Sequence, residues 1–391
     1  MSGGRESRVT AVRTPSGRAA VHRRQPVLRG LFQRVRAVCA SALVVAGTPP
    51  FLQAAPLDGF VEAVPHQYAP RTGYVEWALD HMNQRLDVFN LRPAEISDDS
   101  VGNLKGLHLR AGYGFSERTW MDAGLFRRNI RYGELEPALN TWQLGVQHSL
   151  LASGLASRGP DLAIRASVWG NLGPSIAATP AQLKARPVFS LLDGLSVDRP
   201  SDRQAQLDLI SSWWLGSSAL TAFAGMGRGT VSVDSVTARL GALTRRWIDG
   251  QFYDENGQVD TIIAPIVQQL GLADELNAIN YSTRFAHAGL GIRVPIGERW
   301  GLRAAYQYFH ISRSSDDLIA ARSIGQVNYA SNHTLLGEIS YRFTGQARLF
   351  LRGQAMSNQF LGEMPLLYNS LTAHRFDEKY GIVSLGVIVG F

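Results

Sequence analysis

The chain has 391 residues, of which 45% are hydrophobic and 18% charged, with a single cysteine. That balance excludes both a disordered polymer and a densely apolar helical membrane protein. The formal charge of +7 suggests an acidic partner only until it is located, because nine arginines and a single acid, Glu6, fall in residues 1–54, leaving 30 basic against 31 acidic residues in the rest. The body is near neutral, and no nucleic-acid partner is expected.

At the N-terminus, Arg29 to Arg36 is basic, Ala37 to Gly47 is an apolar run of 11 residues, Thr48-Pro49-Pro50 breaks any helix, and Gln53-Ala54-Ala55 offers small residues for cleavage. This is the order of an export signal, and the run is shorter than the ~20 residues that span a bilayer. Cys39 opens the apolar run instead of following it, so it is not a lipid-anchor cysteine. The expected organisation is a leader over 1–55, a short periplasmic lead-in over 56–71 with Pro56, Pro65 and Pro70, and a cysteine-free body over 72–391.

From there the recurring signal is period-two alternation, the mark of strands with two different faces. Twelve such segments occur, at about 72–80, 104–115, 119–131, 139–151, 161–170, 203–214, 218–227, 284–296, 299–312, 333–344, 347–358 and 379–391. In Thr141 to Leu150, Trp142, Leu144, Val146 and Leu150 alternate with Gln143, Gly145, Gln147 and Ser149; in Ala286 to Ile296, Leu290, Ile292 and Val294 alternate with His287, Gly289, Gly291 and Arg293. The connections alternate long and short, as Ser116-Glu117-Arg118, Gly216-Ser217, Gly297-Glu298 and Thr344-Gly345-Gln346 are brief while 81–103, 171–202, 228–283, 313–332 and 359–378 are extended. Short periplasmic turns and long external loops give this rhythm in an all-β, up-and-down antiparallel barrel. Hydrocarbon leaves a backbone polar group no partner but another strand, so such a sheet must close.

The longest connection, 228–283, is too long to be passive. Ser235 is placed to cap a helix in which Val236, Leu240, Leu243 and Trp247 recur at helical spacing up to Gly250, and a second helix is expected from about Ile262 to Ile279. The alternative is an extra hairpin that raises the strand count to fourteen.

In Tyr380 to Phe391, Val383, Leu385, Val387, Val389 and Phe391 share one face. This strand resembles the C-terminal strand of Gram-negative outer-membrane β-barrel proteins, whose last residue is typically Phe. The resemblance implies residence in the cell outer membrane among its lipids and lipopolysaccharide, with Phe391 as the signal read by the barrel assembly machinery.

Parity places Arg110, Arg128, Arg165, Arg293, Arg303, Arg342, Arg348 and Arg352 on the inner face, together with Glu76, Asp80, Asp122, Asp208 and Glu338. One reading is a pore that passes small polar or anionic solutes, since rings of basic side chains favour anions. The other is that arginines and acids pair across a closed lumen, leaving a structural or adhesive surface barrel. The inner-face glycines Gly112, Gly145, Gly289, Gly291 and Gly301 are expected to relieve crowding.

His310-Ile311-Ser312 looks like the His-x-Ser element of outer-membrane lipid A deacylases and, more loosely, of outer-membrane phospholipases. Carried over, His310 is the base and Ser312 the nucleophile of a lipid hydrolase. The Asn that commonly follows that Ser is Arg313 here, and no orienting acid is identifiable. Ser97-Asp98-Asp99 and Asp316-Asp317 lack the spaced ligands of a calcium loop. No phosphate-binding glycine loop, dinucleotide motif or zinc spacing occurs, so no cofactor or metal is expected.

Overall fold

The computed structural model describes residues 62–63, 71–82, 101–132, 136–152, 159–178, 183–184, 190, 192–261, 265, 276, 278–317, 329–358, 361–368 and 380–391. The expected leader, the pair Asp98-Asp99 and most of the expected second helix lie outside them.

Twelve antiparallel strands close into one barrel. In chain order they are β1 (Gly73–Met82), β2 (Val101–Gly114), β3 (Thr119–Tyr132), β4 (Ala138–Leu151), β5 (Asp161–Leu172), β8 (Ser201–Leu215), β9 (Ser218–Ser232), β13 (Tyr281–Ile296), β14 (Trp300–Arg313), β15 (Ser331–Arg342), β16 (Ala347–Met356) and β17 (Tyr380–Gly390). Each pairs with its neighbour in the chain order of the barrel, and β1 closes the ring on β17 through Val75↔Val389, Trp77↔Val387 and Leu79↔Leu385. The expected strands match, with boundaries moved by a few residues at the loop ends.

Burial alternates along the strands, as in β14, where residues of one parity are exposed while Ala305, Gln307, Phe309, Ile311 and Arg313 are buried. The outer face is apolar: Leu79, Leu109, Leu207, Leu209, Leu290, Leu335, Leu351 and Leu385 are all exposed. At the short-turn rim, Tyr113, Phe115, Trp213, Trp300, Phe343 and Phe391 are exposed as well, and Trp300 packs on Tyr341 at 4.9 Å between ring centroids. Such a girdle suits the membrane–water interface. Trp120 does not belong to it, being buried on the inner face with Asp122.

The remaining strands, β6 (Ile176–Ala178), β7 (Gly194–Asp198), β10 (Ser235–Leu240), β11 (Leu243–Ile248) and β12 (Gln251–Tyr253), form a separate five-stranded sheet in the order β12-β11-β10-β7-β6. This corrects the first expected helix. Val236 and Trp247 do meet, but as cross-strand partners. Gly241 (φ 58°) turns β10 into β11, and Asp249 and Gly250 (φ 48° and 87°) turn β11 into β12. Two successive left-handed residues at Asp-Gly are the signature of a two-residue hairpin, whose twist matches the strands it joins. The extra hairpins build this small sheet, and the barrel keeps twelve strands, not fourteen.

Three of the lumenal glycines sit where a side chain has no room. A β-carbon at Gly112 would lie 2.1 Å from the Tyr74 ring, one at Gly289 2.3 Å from the Phe223 ring, and one at Gly145 2.2 Å from Arg165 Nη2.

Candidate functional site: the barrel lumen

The inner face is organised in three levels. Its middle is a belt of charges that follows the strand register. Arg165 on β5 donates to Asp122 on β3 through both guanidinium ends, at 2.6 and 2.8 Å, and Arg110 reaches the same carboxylate at 4.0 Å. Arg352 donates to Glu338 at 2.8 Å and pairs with Glu76 at 3.2 Å, while Arg303 lies 3.9 Å from Glu338. His108 stands between two carboxylates of β1, with Nδ1 3.0 Å from Asp80 and Nε2 3.1 Å from Glu76. Arg128 approaches Asp80 at 3.7 Å. Opposite, His287 Nε2 lies 2.7 Å from Asp208. Acid and base alternate around the wall, because burying a charge costs several kcal/mol unless a partner sits beside it.

The level toward the long loops is apolar. Residues 361–368 of the β16–β17 connection fold into the barrel mouth, and Leu361, Met364, Leu366 and Tyr368 join Phe126, Leu139, Trp169, Phe285, Phe309 and Ile311 in one core. Gly362 (φ 86°) turns the segment inward, and Pro365–Leu367 makes a single 3-10 turn. The strands hold this segment by its backbone. Tyr281 donates its hydroxyl to the Pro365 and Tyr368 carbonyls at 2.6 and 2.8 Å. Asn171 donates to the Glu363 carbonyl at 2.9 Å, and Asp202 accepts from the Leu366 amide at 3.1 Å. Arg313 lies over the Tyr368 ring at 3.8 Å and pairs with Asp316 at 3.1 Å.

Glu363 within this plug carries a pH dependence. Burial pushes its carboxyl above the ordinary range, and Gln354 donates to it at 2.6 Å. The docked segment therefore binds a proton more tightly than the released one. Docking is strongest below the ordinary carboxylate pKa and weakens as pH rises through the raised value. Hydrogen exchange of 361–368, corrected for intrinsic rate, should quicken on raising the pH above the carboxylate range, and Glu363→Gln should weaken that trend.

The third level, at the short turns, holds a piece of the N-terminal segment. Glu62 and Ala63 are buried inside the barrel, although the sequence reads 56–71 as a lead-in. Gln147 donates to the Glu62 carbonyl at 2.7 Å, and the Ala63 amide donates to Ser212 at 2.8 Å. The Glu62 carboxylate lies 2.8 Å from Arg293 and 3.5 Å from Arg303. Beyond them a vestibule of about 1080 Å³ opens, bordered by Arg293, Arg299, Arg303, Arg342 and Arg348.

Of the residues expected at the inner face, Arg110, Arg128, Arg165, Asp208 and Glu338 are buried in the belt. Arg293, Arg303 and Arg352 are half-buried, and Arg342 and Arg348 face each other across β15 and β16 in the vestibule. His108 and His287 share inner parity with the arginines and were findable by it. Arg313 shares that parity too, one residue past the expected end of its strand, whereas Glu62 and the plug carry no such sequence signal.

His310 and Ser312 are exposed on the outer face, beside Arg284, Ala286 and Ser331 on the adjacent strands. No hydrogen bond joins them among the described residues, and the next residue, Arg313, points inward to the plug. Farther along the same outer face, Tyr306 hydrogen-bonds His333 at 2.7 Å and Tyr308 packs on His333 at 5.2 Å between ring centroids. An activated Ser needs a hydrogen-bonded base, and no hydrogen bond among the described residues gives Ser312 one. Ser312→Ala is expected to leave the mass spectra of lipid A and phospholipid unchanged in cells that carry it.

A closed antiparallel barrel with an apolar outer face and a polar, charged lining defines an integral outer-membrane β-barrel protein, resident in the cell outer membrane. No protein-family model matches the sequence, and no curated protein matches it. Among solved structures, the chain is similar to the translocator domain of autotransporter NalP from Neisseria meningitidis, at 12% identity and a TM-score of 0.45 over 84% of this chain and 90% of that one. It is also similar to the CymD monoaromatic hydrocarbon channel, at 10% identity and 0.40 over 86% and 91%, and to the KdgM porin, at 6% and 0.35 over 81% and 99%.

Proposed function

We propose that the protein is a gated outer-membrane channel or transporter for small polar and anionic solutes, seen in its closed state. The observation that carries this reading is what blocks the lumen. The obstructions are the inserted segments at 62–63 and 361–368, which leave strand pairing intact if they withdraw. On the short-turn side five arginines border the vestibule against Glu298, and a cleft with an excess of one sign of charge attracts the opposite ion. A permanently closed surface barrel is the competing reading, favoured by the depth of the apolar plug. Conductance of the purified protein in planar bilayers, before and after release of the two segments, separates them.

A further inference from the structure

Arg293 and Arg303 are direct cross-strand partners on the inner face of β13 and β14. Like charges placed opposite one another destabilise a sheet, and at this pair one anion reaches both. That anion is Glu62, whose Oε1 lies 2.8 Å from Arg293 Nε and 3.5 Å from Arg303 Nη2. The fit is incomplete. Although the carboxylate oxygen is close, Arg293 Nε and Nη2 are buried and make no hydrogen bond. The guanidinium is nonetheless held ready. It lies over the Trp214 ring at 5.2 Å, and Trp214 is anchored by donating Nε1 to Asp161 at 2.6 Å. Both arginines border the vestibule at the short-turn mouth, so the site faces the aqueous compartment on that side.

We infer that Arg293 and Arg303 form a carboxylate-binding site which Glu62 of the chain's own N-terminal segment occupies, and from which a small polycarboxylate solute displaces it. Guanidinium forks recognise carboxylates with two parallel bonds, and a solute carboxylate free to orient meets the Arg293 donors that Glu62 leaves unmet. A tethered competitor lowers apparent affinity in proportion to the fraction of sites it leaves open. Displacement also frees the segment that fills this level of the lumen, which couples solute binding to opening. The inference takes its meaning from the channel reading, but its test does not depend on transport.

The test is isothermal titration of citrate into the full chain in detergent micelles at low ionic strength, where screening is weakest. Glu62→Gln should bind citrate at least about tenfold more tightly than the wild type, because the competitor has lost its charge. In the same background Arg293→Gln should abolish binding and Arg293→Lys, which keeps the charge without the fork, should retain part of it. A strand-rich circular dichroism spectrum certifies each variant. Equal citrate affinity in the wild type and Glu62→Gln would overturn the inference, as would phosphate binding to Glu62→Gln as tightly as citrate does. A barrel that binds citrate in this pattern yet never conducts removes the channel reading and leaves the site standing.

Discussion

Replacing residues 62–70 and 361–368 together with Gly/Ser stretches of equal length should convert a silent barrel into one that conducts in discrete steps. The two obstructions lie in series, one beside Gln147 and Ser212, the other against Trp169 and Phe285. On the proposed reading each segment closes its own level of the lumen, so each single replacement should change conductance little. The doubly replaced barrel should prefer anions, because Arg293 and Arg303 lose the Glu62 carboxylate and stand with Arg342 and Arg348 on the path. Adding Arg293→Ala and Arg303→Ala should reduce that preference. Removing the plug uncovers apolar wall, at a cost on the order of 1.5–3 kcal/mol for each large side chain exposed, so barrel closure must be verified by circular dichroism. A folded, doubly replaced barrel that carries no current would establish the closed-barrel reading instead.

Asp122→Ala should lower stability by about 3–5 kcal/mol, the range for removing one partner of a buried ion pair. Arg165 donates to Asp122 with both ends of its guanidinium and Arg110 leans on the same carboxylate, so one deletion removes an acid that two buried cations share. Gly145 leaves the room in which that guanidinium lies, since a β-carbon there would stand 2.2 Å from Arg165 Nη2. Urea titration in micelles measures the loss. Replacing the pair as Asp122→Leu with Arg165→Met should recover most of it, since well-packed apolar residues often match a buried ion pair. A loss below about 1 kcal/mol, the value of a solvated pair, would mean that water reaches the belt and that the middle of the lumen is wet.

The two experiments bear on one question from opposite sides. Conductance asks whether the inserted segments are the whole obstruction. The Asp122 measurement asks how dry the belt between them is. A dry belt with movable segments describes a gate that must rearrange its own charges to open, and the shared partners allow that, since Arg352 already bridges Glu76 and Glu338.

Much of the architecture was legible in the residues. Side chains of a strand alternate faces with period two, so parity alone assigned Leu290 and Ile292 to lipid and His287 and Arg293 to the interior, and closure followed from the need to pair every backbone group in hydrocarbon. The long and short connections ordered the hairpins. Parity also held the signal for His108 and His287. One local signal was misread. Val236, Leu240, Leu243 and Trp247 fit a helical spacing, yet Asp249-Gly250 and Gly241 mark hairpin turns, and a hairpin brings Val236 to Trp247 as well as a helix face would. Periodicity over so short a stretch does not separate the two, and the turn residues do.

The sequence by itself determined the strands, their faces, the barrel and its membrane. Those depend on local period and on a solvent that tolerates no unpaired backbone. Only the tertiary structure decided whether the lumen is filled. That depends on where Glu62 and Leu361–Tyr368 go, and they are placed by partners more than eighty residues away, Gln147 and Tyr281, through a few hydrogen bonds and one shared apolar core. No period in the chain encodes a contact of that kind.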